Sequence, residues 1–315
     1  MASDILRLGA VAYDPKVVTI WEGFKAHFAA KGLAFDYVLY SNYERQVEQH
    51  FAGAIDVAWN SPLAWLQTDA VARRLGRNAR AIAMRDSDCD LTSVVVVRDG
   101  TGIEKLGDLR GKRIGVGALD SPQATLIPLI HLAEAGLVRD VDFEVVAFDV
   151  LVGQHGDHIG GERDAAKALA AGRVDAACLI DGNHLAFSRD GTLPAAATRV
   201  LAQTAPYDHC NFTVLDGADD AQVATFSRLL LEMSYADEKV RPLLDMEGLK
   251  VWKEGRPDPL DKGLVQLDDY LDLLVLDSGV LALFDRRPAA PPIETRTRFD
   301  QARSPKGRPV RVLRA

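Results

Sequence analysis

Short apolar runs alternate along this chain with longer stretches in which apolar positions recur every three or four residues. The first pattern is typical of buried strands and the second of amphipathic helices. The alternation begins with a strand at 6–11, a helix at 17–30 and a strand at 35–40, and it continues to about residue 275. It predicts an α/β protein whose strands are mostly parallel.

Residues 91–132 form the most specific part of this pattern. They predict a strand, a short helix ending in the sequence DLRGK at 108–112, and a second strand at 113–116. A loop bearing Ser and Thr, residues 120–125, then opens a helix. Ser121 suits the N-cap and Pro122 suits the first helical position. The free N–H groups and the dipole of such a helix start favour an anionic or strongly polar ligand.

This order of strand, DLRGK, strand, loop and helix resembles the solute-binding proteins of phosphonate, phosphite and related ABC importers. The sequences GAIDVAWNSPLAW at 53–65 and AGRVDAA at 171–177 resemble the same family. The DSPQAT loop at 120–125 differs from that family's Ser-Thr-Ser-Gly type of loop. The resemblance implies an α/β, two-lobed, type 2 periplasmic-binding-protein-like fold with a hinged cleft between the lobes.

Two crossings between the lobes set the predicted domain boundaries. Lobe I is predicted to comprise 1–91 and 206–285, and lobe II to comprise 92–205. Residues 286–315 carry nine Lys and Arg against two Asp and Glu, with several prolines. This composition predicts an extended basic tail.

Composition and charge exclude some classes of partner. A net charge of −8 argues against nucleic acid, and the apolar runs are too short for a membrane span. Three cysteines do not suggest a disulfide framework. The N-terminal residues lack the pattern of a secretory leader, which predicts a cytoplasmic location. A periplasmic or lipoprotein-anchored location is expected instead if a leader has been removed.

Candidate ligand-binding residues lie in the loops that follow strands, where α/β proteins hold their ligands. Their aromatic and short polar side chains suit a small polar ligand. The family resemblance implies ligand contacts by Tyr13, Asn60, Ser61, Ser121, Thr125 and Asp181. The loops add Asp14, Asn42, Tyr43, Gln123, His184 and His209 to the candidates.

The glycine-rich sequence GQHGDHIGGE, at 153–162, suggests a different chemistry. His155, Asp157 and His158 are candidate ligands for a divalent metal, and with Glu162 they are also candidate proton-transfer groups. The alternative is a solvated loop in which Glu162 begins the next helix near its positive end.

The sequence YDHCNF, at 207–212, places a cysteine beside a histidine near the second crossing. Cys210 is a candidate nucleophile, with His155 or His158 as general base and Asp157 or Glu162 orienting that base. The alternative is a small buried cysteine. On a strand, His209 and Cys210 would point to opposite faces.

Three functions therefore stay open. The first is a binding protein that closes on a small polar or anionic solute and passes it to an ABC importer or a sensor. A pathway enzyme is the alternative partner. The second is a cytoplasmic enzyme on the same fold, acting within a pathway through Cys210. The third is a metal-binding protein that uses the HGDH sequence at 155–158. The sequence does not identify the ligand or a cofactor.

Overall fold

Strands and helices alternate along most of the chain, as the hydrophobic pattern predicts. The computed structural model describes residues 5–12, 15–149, 159–194, 196–256, 279–283, 298–303 and 309–314. The described helices are α1 Lys16–Ala30, α2 Tyr43–Phe51, α3 Pro62–Arg74, α4 Ile127–Glu134, α5 Ile159–Ala170, α6 Asp181–Arg189, α7 Asp220–Leu231 and α8 Arg241–Glu247.

The described strands are β1 Leu6–Val11, β2 Phe35–Tyr40, β3 Val57–Asn60, β4 Ala79–Arg85, β5 Ser93–Arg98, β6 Arg113–Val116, β7 Glu144–Ala147, β8 Ala176–Ile180, β9 Thr198–Gln203, β10 Asn211–Leu215, β11 Trp252–Glu254, β12 Gly279–Leu283, β13 Arg298–Arg303 and β14 Pro309–Arg314. The hydrophobic pattern predicted neither β10 nor β11, and it placed Asp181 and His184, at the start of α6, in a loop. The end of the predicted alternation, from residue 257 to about residue 275, lies outside the described residues.

The first sheet has six strands in the order β11-β4-β10-β3-β1-β2. Strand β1 pairs in parallel with β2 and β3, and its apolar residues are buried. Helix α1 packs the aromatic rings of Trp21, Phe24 and Phe28 against this sheet, where they meet Phe212 and Phe226. This aromatic core anchors the loops that follow the strands.

The second sheet has five strands in the order β7-β6-β8-β5-β9. Strand β6 pairs in parallel with β7 and β8. The four consecutive valines of β5, Val94–Val97 in the sequence, are all buried, as expected for a strand covered on both faces. Helix α5 covers part of this sheet with Ala165, Ala166 and Leu169.

Both sheets are mixed, whereas the sequence predicted mostly parallel strands. Strands β10 and β5 run antiparallel to both of their neighbours. Each of the two enters its sheet directly from the other sheet, without the helical crossover that joins parallel strands. We call the two connections, residues 86–92 and 204–210, the crossing segments. The predicted lobe boundaries fall within or next to them and stay a prediction.

The chain divides into two units, residues 1–259 and residues 260–315. The described strands of the second unit form a sheet in which β14 pairs in parallel with β12 and antiparallel with β13. Strands β13 and β14 belong to the segment predicted as a tail. Among all described residues, no helix is both long and apolar enough to cross a membrane.

Candidate functional site

The loop after β6 carries three of the predicted ligand residues, and all three are buried. Ser121 is the N-cap residue of a π-helical turn, and its hydroxyl accepts the Ala124 N–H at 3.2 Å. Thr125 donates its hydroxyl to the carbonyl of Ala118 at 2.7 Å. The turn continues directly into α4. The structure therefore brings Ser121, Gln123 and Thr125 together at a helix start, as predicted.

Two glycines let the beginning of α5 approach this loop. A Cβ at Gly161 would lie 2.5 Å from the Phe148 carbonyl oxygen and 3.2 Å from the Gly117 Cα. A Cβ at Gly117 would lie 2.8 Å from the Ala124 Cβ. Because no larger side chain fits at either position, the backbones pack closely and place Glu162 beside the loop.

Glu162 is a buried carboxyl group of α5 that contacts the end of β8 and the start of α6. One of its oxygens accepts the Ile180 N–H at 2.5 Å, and the other accepts the side-chain amide of Asn183 at 2.8 Å. Burial raises the pKa of Glu162 to about 7, although both hydrogen bonds and the charge of His209 oppose the rise. This carboxyl group therefore changes charge near neutral pH.

Asp181 and His184 lie in the first turn of α6, which follows the end of β8. Thr92 donates its hydroxyl to Asp181 at 3.4 Å, a long hydrogen bond. The Nε2 atom of His184 lies 3.3 Å from the Thr198 hydroxyl. Burial lowers the pKa of His184, while the charge of Asp181 opposes that effect. His184 is therefore favoured as a neutral ring.

In the first sheet, the predicted residues Asn60 and Ser61 end β3 and begin α3. The Ser61 hydroxyl accepts the Ala64 N–H at 3.3 Å and caps the helix. The Asn60 amide nitrogen donates to Thr213 at 2.9 Å and to Thr68 at 3.3 Å. Both hydrogens of the Asn60 amide thus point into the protein interior.

The remaining predicted residues divide between described and undescribed positions. Asn42 caps α2 by accepting the Arg45 N–H at 2.8 Å, and Tyr43 is buried at the first position of that helix. The other predicted residues, namely Tyr13, Asp14, His155, Asp157 and His158, lie outside the described residues. Their proposed ligand, metal and general-base roles stay predictions.

Cys210 and His209 lie in the second crossing segment, before β10 begins at Asn211. The strand rule that would separate them therefore does not apply, and the Cys210 Sγ lies 3.1 Å from the His209 Nδ1. The same Nδ1 lies 3.2 Å from an Asp88 carboxylate oxygen. Cys210 also belongs to the aromatic core of the first sheet.

Arg85 forms an ion pair with Asp88, the residue that contacts His209. Its guanidinium donates to both oxygens of Asp88, at 2.5 and 3.0 Å, and to the backbone carbonyl of Glu247. Burial favours a raised pKa for Asp88, but the charge of Arg85 and the hydrogen bonds outweigh burial and hold it at about 2. Burial raises the pKa of Glu247 to about 7 against the charge of Arg85.

In the part of the chain that the structure describes, one group of His, Cys and carboxylate side chains is close enough to share a metal ion. It consists of Asp88, His209 and Cys210, whose ligand atoms lie within 4.8 Å of one another. Because the Arg85 guanidinium engages both Asp88 oxygens, a cation there would face a fixed positive charge. This cluster therefore fits an internal ion pair better than a metal site.

Arg85, Asp88 and Glu247 were not among the residues predicted from the sequence. A signal for two of them exists, since Arg85 and Asp88 follow an apolar strand in a short charged sequence, RDSD. Glu247 lies 162 positions from Arg85 along the chain, so no local pattern connects the two.

Comparisons with known proteins agree with this architecture. The family model described as "ABC transporter, phosphonate, periplasmic substrate-binding protein" matches residues 10–259. The chain is similar to PhnD1 of Prochlorococcus marinus MIT 9301, solved in complex with methylphosphonate. The two share 16% identity and a TM-score of 0.61, over 84% of this chain and 99% of that one.

Two further solved structures are similar over most of their length. XAC2383 of Xanthomonas citri, solved bound to ATP, shares 16% identity and a TM-score of 0.60, over 86% of this chain and 98% of that one. PA3383 of Pseudomonas aeruginosa, a binding protein component of an ABC phosphonate transporter, shares 14% identity and a TM-score of 0.59. That match covers 85% of this chain and 88% of the other.

Proposed function

This chain belongs to the phosphonate ABC transporter periplasmic substrate-binding protein family, and we propose that it binds a small oxyanion of the phosphonate class. The family and the structural likeness establish a type 2 periplasmic-binding fold and a solute-binding role. They imply a small-molecule ligand and an ABC importer as partner. The family is described as periplasmic, which is the second of the two locations considered from the sequence.

One observation supports the oxyanion proposal more than any other. In each sheet, a buried serine caps the helix that follows a parallel strand. Ser61 comes directly after β3, and Ser121 ends the loop that follows β6. Helix starts present N–H groups and partial positive charge, and a serine hydroxyl both donates and accepts. Neutral donors of this kind can hold an oxyanion without a lysine or arginine.

The family match supports neither the enzyme nor the metal-binding alternative. Within the described residues, the thiol proposed as nucleophile is buried in an aromatic core and lies beside an ion pair. These are the surroundings of a packed side chain rather than those of an accessible nucleophile.

Calorimetric titration of the full chain with methylphosphonate, inorganic phosphate and methanesulfonate tests the proposal. We expect methylphosphonate to bind most tightly, because the site is proposed for that class. Ser121→Ala should weaken its binding roughly tenfold, since it removes a hydroxyl from the proposed helix-start site. Ser234→Ala is the matched control, because the Ser234 hydroxyl accepts the Ala236 N–H on an exposed turn.

Two results would contradict the proposal at different levels. If the folded wild-type chain bound none of the three anions, the proposed ligand class would be wrong. If Ser121→Ala and Ser234→Ala changed the affinity for methylphosphonate equally, Ser121 would not contact the ligand.

A further inference from the structure

A chain of two hydroxyl groups connects the second crossing segment to the proposed ligand loop. Ser93 is the first residue of β5, and its side chain is fully buried. The Ser93 hydroxyl donates to the carbonyl oxygen of Gln123 at 2.5 Å. Its oxygen also lies 2.7 Å from the hydroxyl of Tyr207.

The direction of both hydrogen bonds follows from the number of protons. A serine hydroxyl has one proton, and Ser93 donates that proton to a carbonyl oxygen, which can only accept. Tyr207 must therefore be the donor to Ser93. Hydrogen bonds in such a series polarise and strengthen one another, especially in a buried setting.

Both ends of this chain are fixed by other contacts. The Tyr207 N–H donates to the Leu91 carbonyl at 2.8 Å, so Tyr207 is held where the two crossing segments pair. Ser93 exchanges hydrogen bonds with Thr204, at 2.9 and 3.0 Å. Gln123 lies in the turn that Ser121 caps. Two short contacts therefore link the crossing segments to the turn.

We propose that Tyr207 is a positioning residue, which acts through Ser93 to hold the Ser121–Thr125 turn in its binding conformation. Tyr207 itself need not contact the ligand. The crossing segments are the connections about which a two-lobed binding protein opens and closes. The contact therefore couples the state of these connections to the shape of the ligand loop. The consequence for affinity rests on the proposed function, whereas the consequence for the loop does not.

Amide hydrogen exchange of the free full chain tests the loop directly. We expect Tyr207→Phe and Ser93→Ala to speed exchange at residues 118–126. Ser93→Ala removes the hydrogen bond from Ser93 to the turn, and Tyr207→Phe removes the group that polarises that bond. Tyr37→Phe is the matched control, since the Tyr37 hydroxyl donates to Glu22 in an exposed contact. Exchange at 118–126 that is unchanged in Tyr207→Phe would overturn the proposal, even if Ser93→Ala speeds it.

Titration with methylphosphonate tests the coupling to binding. Tyr207→Phe should raise the Kd roughly three- to tenfold, as expected for loss of one hydrogen bond. In the Ser93→Ala background, the same substitution should have no further effect, because the connection is already broken. Additive effects in the double variant would show that Tyr207 does not act through Ser93.

The two measurements separate this inference from the proposed ligand class. If exchange responds as expected but the wild-type chain binds no methylphosphonate, Tyr207 positions the loop and the ligand class is wrong. If the wild-type chain binds and Tyr207→Phe alters neither exchange nor Kd, the ligand class stands and the positioning role fails.

Discussion

The Cys210 thiol lies beside a histidine, as a nucleophilic cysteine would, but it is buried in the aromatic core of the first sheet. His209 lies 3.1 Å away through Nδ1, yet the same nitrogen faces Asp88, which Arg85 engages through both oxygens. The imidazole is therefore oriented by an internal ion pair. In a solute-binding protein this arrangement connects the second crossing segment to the first, because Asp88 and His209 belong to different segments.

Replacement of this cysteine gives a direct test of that interpretation. We expect Cys210→Ala to leave the Kd for methylphosphonate within about threefold and to lower the free energy of unfolding by about 1 kcal/mol. The measurements are calorimetric titration and denaturant unfolding, with Cys178→Ala in β8 as a control for loss of a buried thiol. Lost binding with unchanged stability would instead support a direct role of the thiol.

The hydrogen-bond partners of Asn60 could not be predicted from its position after a strand. The hydrophobic pattern correctly placed Asn60 at the carboxyl end of a strand. Its amide nitrogen, however, donates to Thr213, which is 153 positions away, and its amide oxygen accepts from Gln46 at 2.8 Å. Buried amides take whatever partners the tertiary fold supplies. The predicted contact of Asn60 with a ligand stays a prediction. Its hydrogen bonds to Gln46, Thr68 and Thr213 give it a structural role.

At the scale of elements, further hydrogen bonds and the side chain of Arg256 join the two crossing segments. The His209 N–H donates to the Asp88 carbonyl at 2.9 Å, and the Asp90 N–H donates to the Asp208 carboxylate at 3.1 Å. Arg256 contacts both oxygens of Asp90 at 2.8 Å and one oxygen of Asp208 at 3.0 Å. A residue shortly after β11 thus clamps both segments.

Removal of this clamp should loosen the segments while changing overall stability little. Arg256→Ala is expected to speed amide exchange at Asp90 and Tyr207, since the shared guanidinium no longer holds the two carboxylates. The free energy of unfolding should fall by about 1 kcal/mol or less, because the ion pairs are largely exposed. Arg228→Ala, which removes a surface pair with Glu232 on α7, is the matched control. Exchange rates equal to those of the wild type would show that Arg256 does not restrain the segments.

Strand and helix positions were predicted well where one element shows a single clear period. Strands β1 and β2 have the predicted bounds, because their apolar positions and flanking polar residues mark both ends. The direction of β5 and β10 was not predictable, since pairing depends on which sheet receives the chain after a crossing. The helix start at Ser121 was predicted from its cap, although its π-helical first turn was not.

The candidate site was predictable only where its residues are near one another in sequence. Ser121, Gln123 and Thr125 share a loop, and the helix-start rule identified all three. Glu162 was noticed for its charge, but its partners at 180 and 183 depend on how α5 packs on the sheet. That packing depends in turn on two glycines whose close contacts cannot be seen without the fold.

For the whole molecule, the dependence of the unfolding free energy on pH is the sum of contributions from buried titratable groups, some of which have opposite signs. Burial raises the pKa of Glu162 and of Glu247 to about 7, so the folded state binds more protons than the unfolded chain between their usual pKa and 7. Stability from these groups falls as pH rises through that range. Burial lowers the pKa of His50 to about 4, so its contribution to stability is lost as pH falls from its usual pKa towards 4.

Comparing the wild type with Glu162→Gln at two pH values isolates the contribution of this one buried acid. Relative to the wild type, Glu162→Gln should be more stable at pH 8 than at pH 5 by about 2 to 3 kcal/mol, because only the wild type must bury a charge at the higher pH. Asn183 can rotate its amide to accept from the new side chain, so its contact is kept. Denaturant unfolding at both pH values gives the difference, and Glu232→Gln at the exposed C-cap of α7 should show almost none. A Glu162→Gln difference that is equal at pH 5 and pH 8 would mean that Glu162 is ionised in the folded protein throughout this range. The carboxylate would then be a permanent negative charge beside the proposed oxyanion site, and the ligand would have to bind against it.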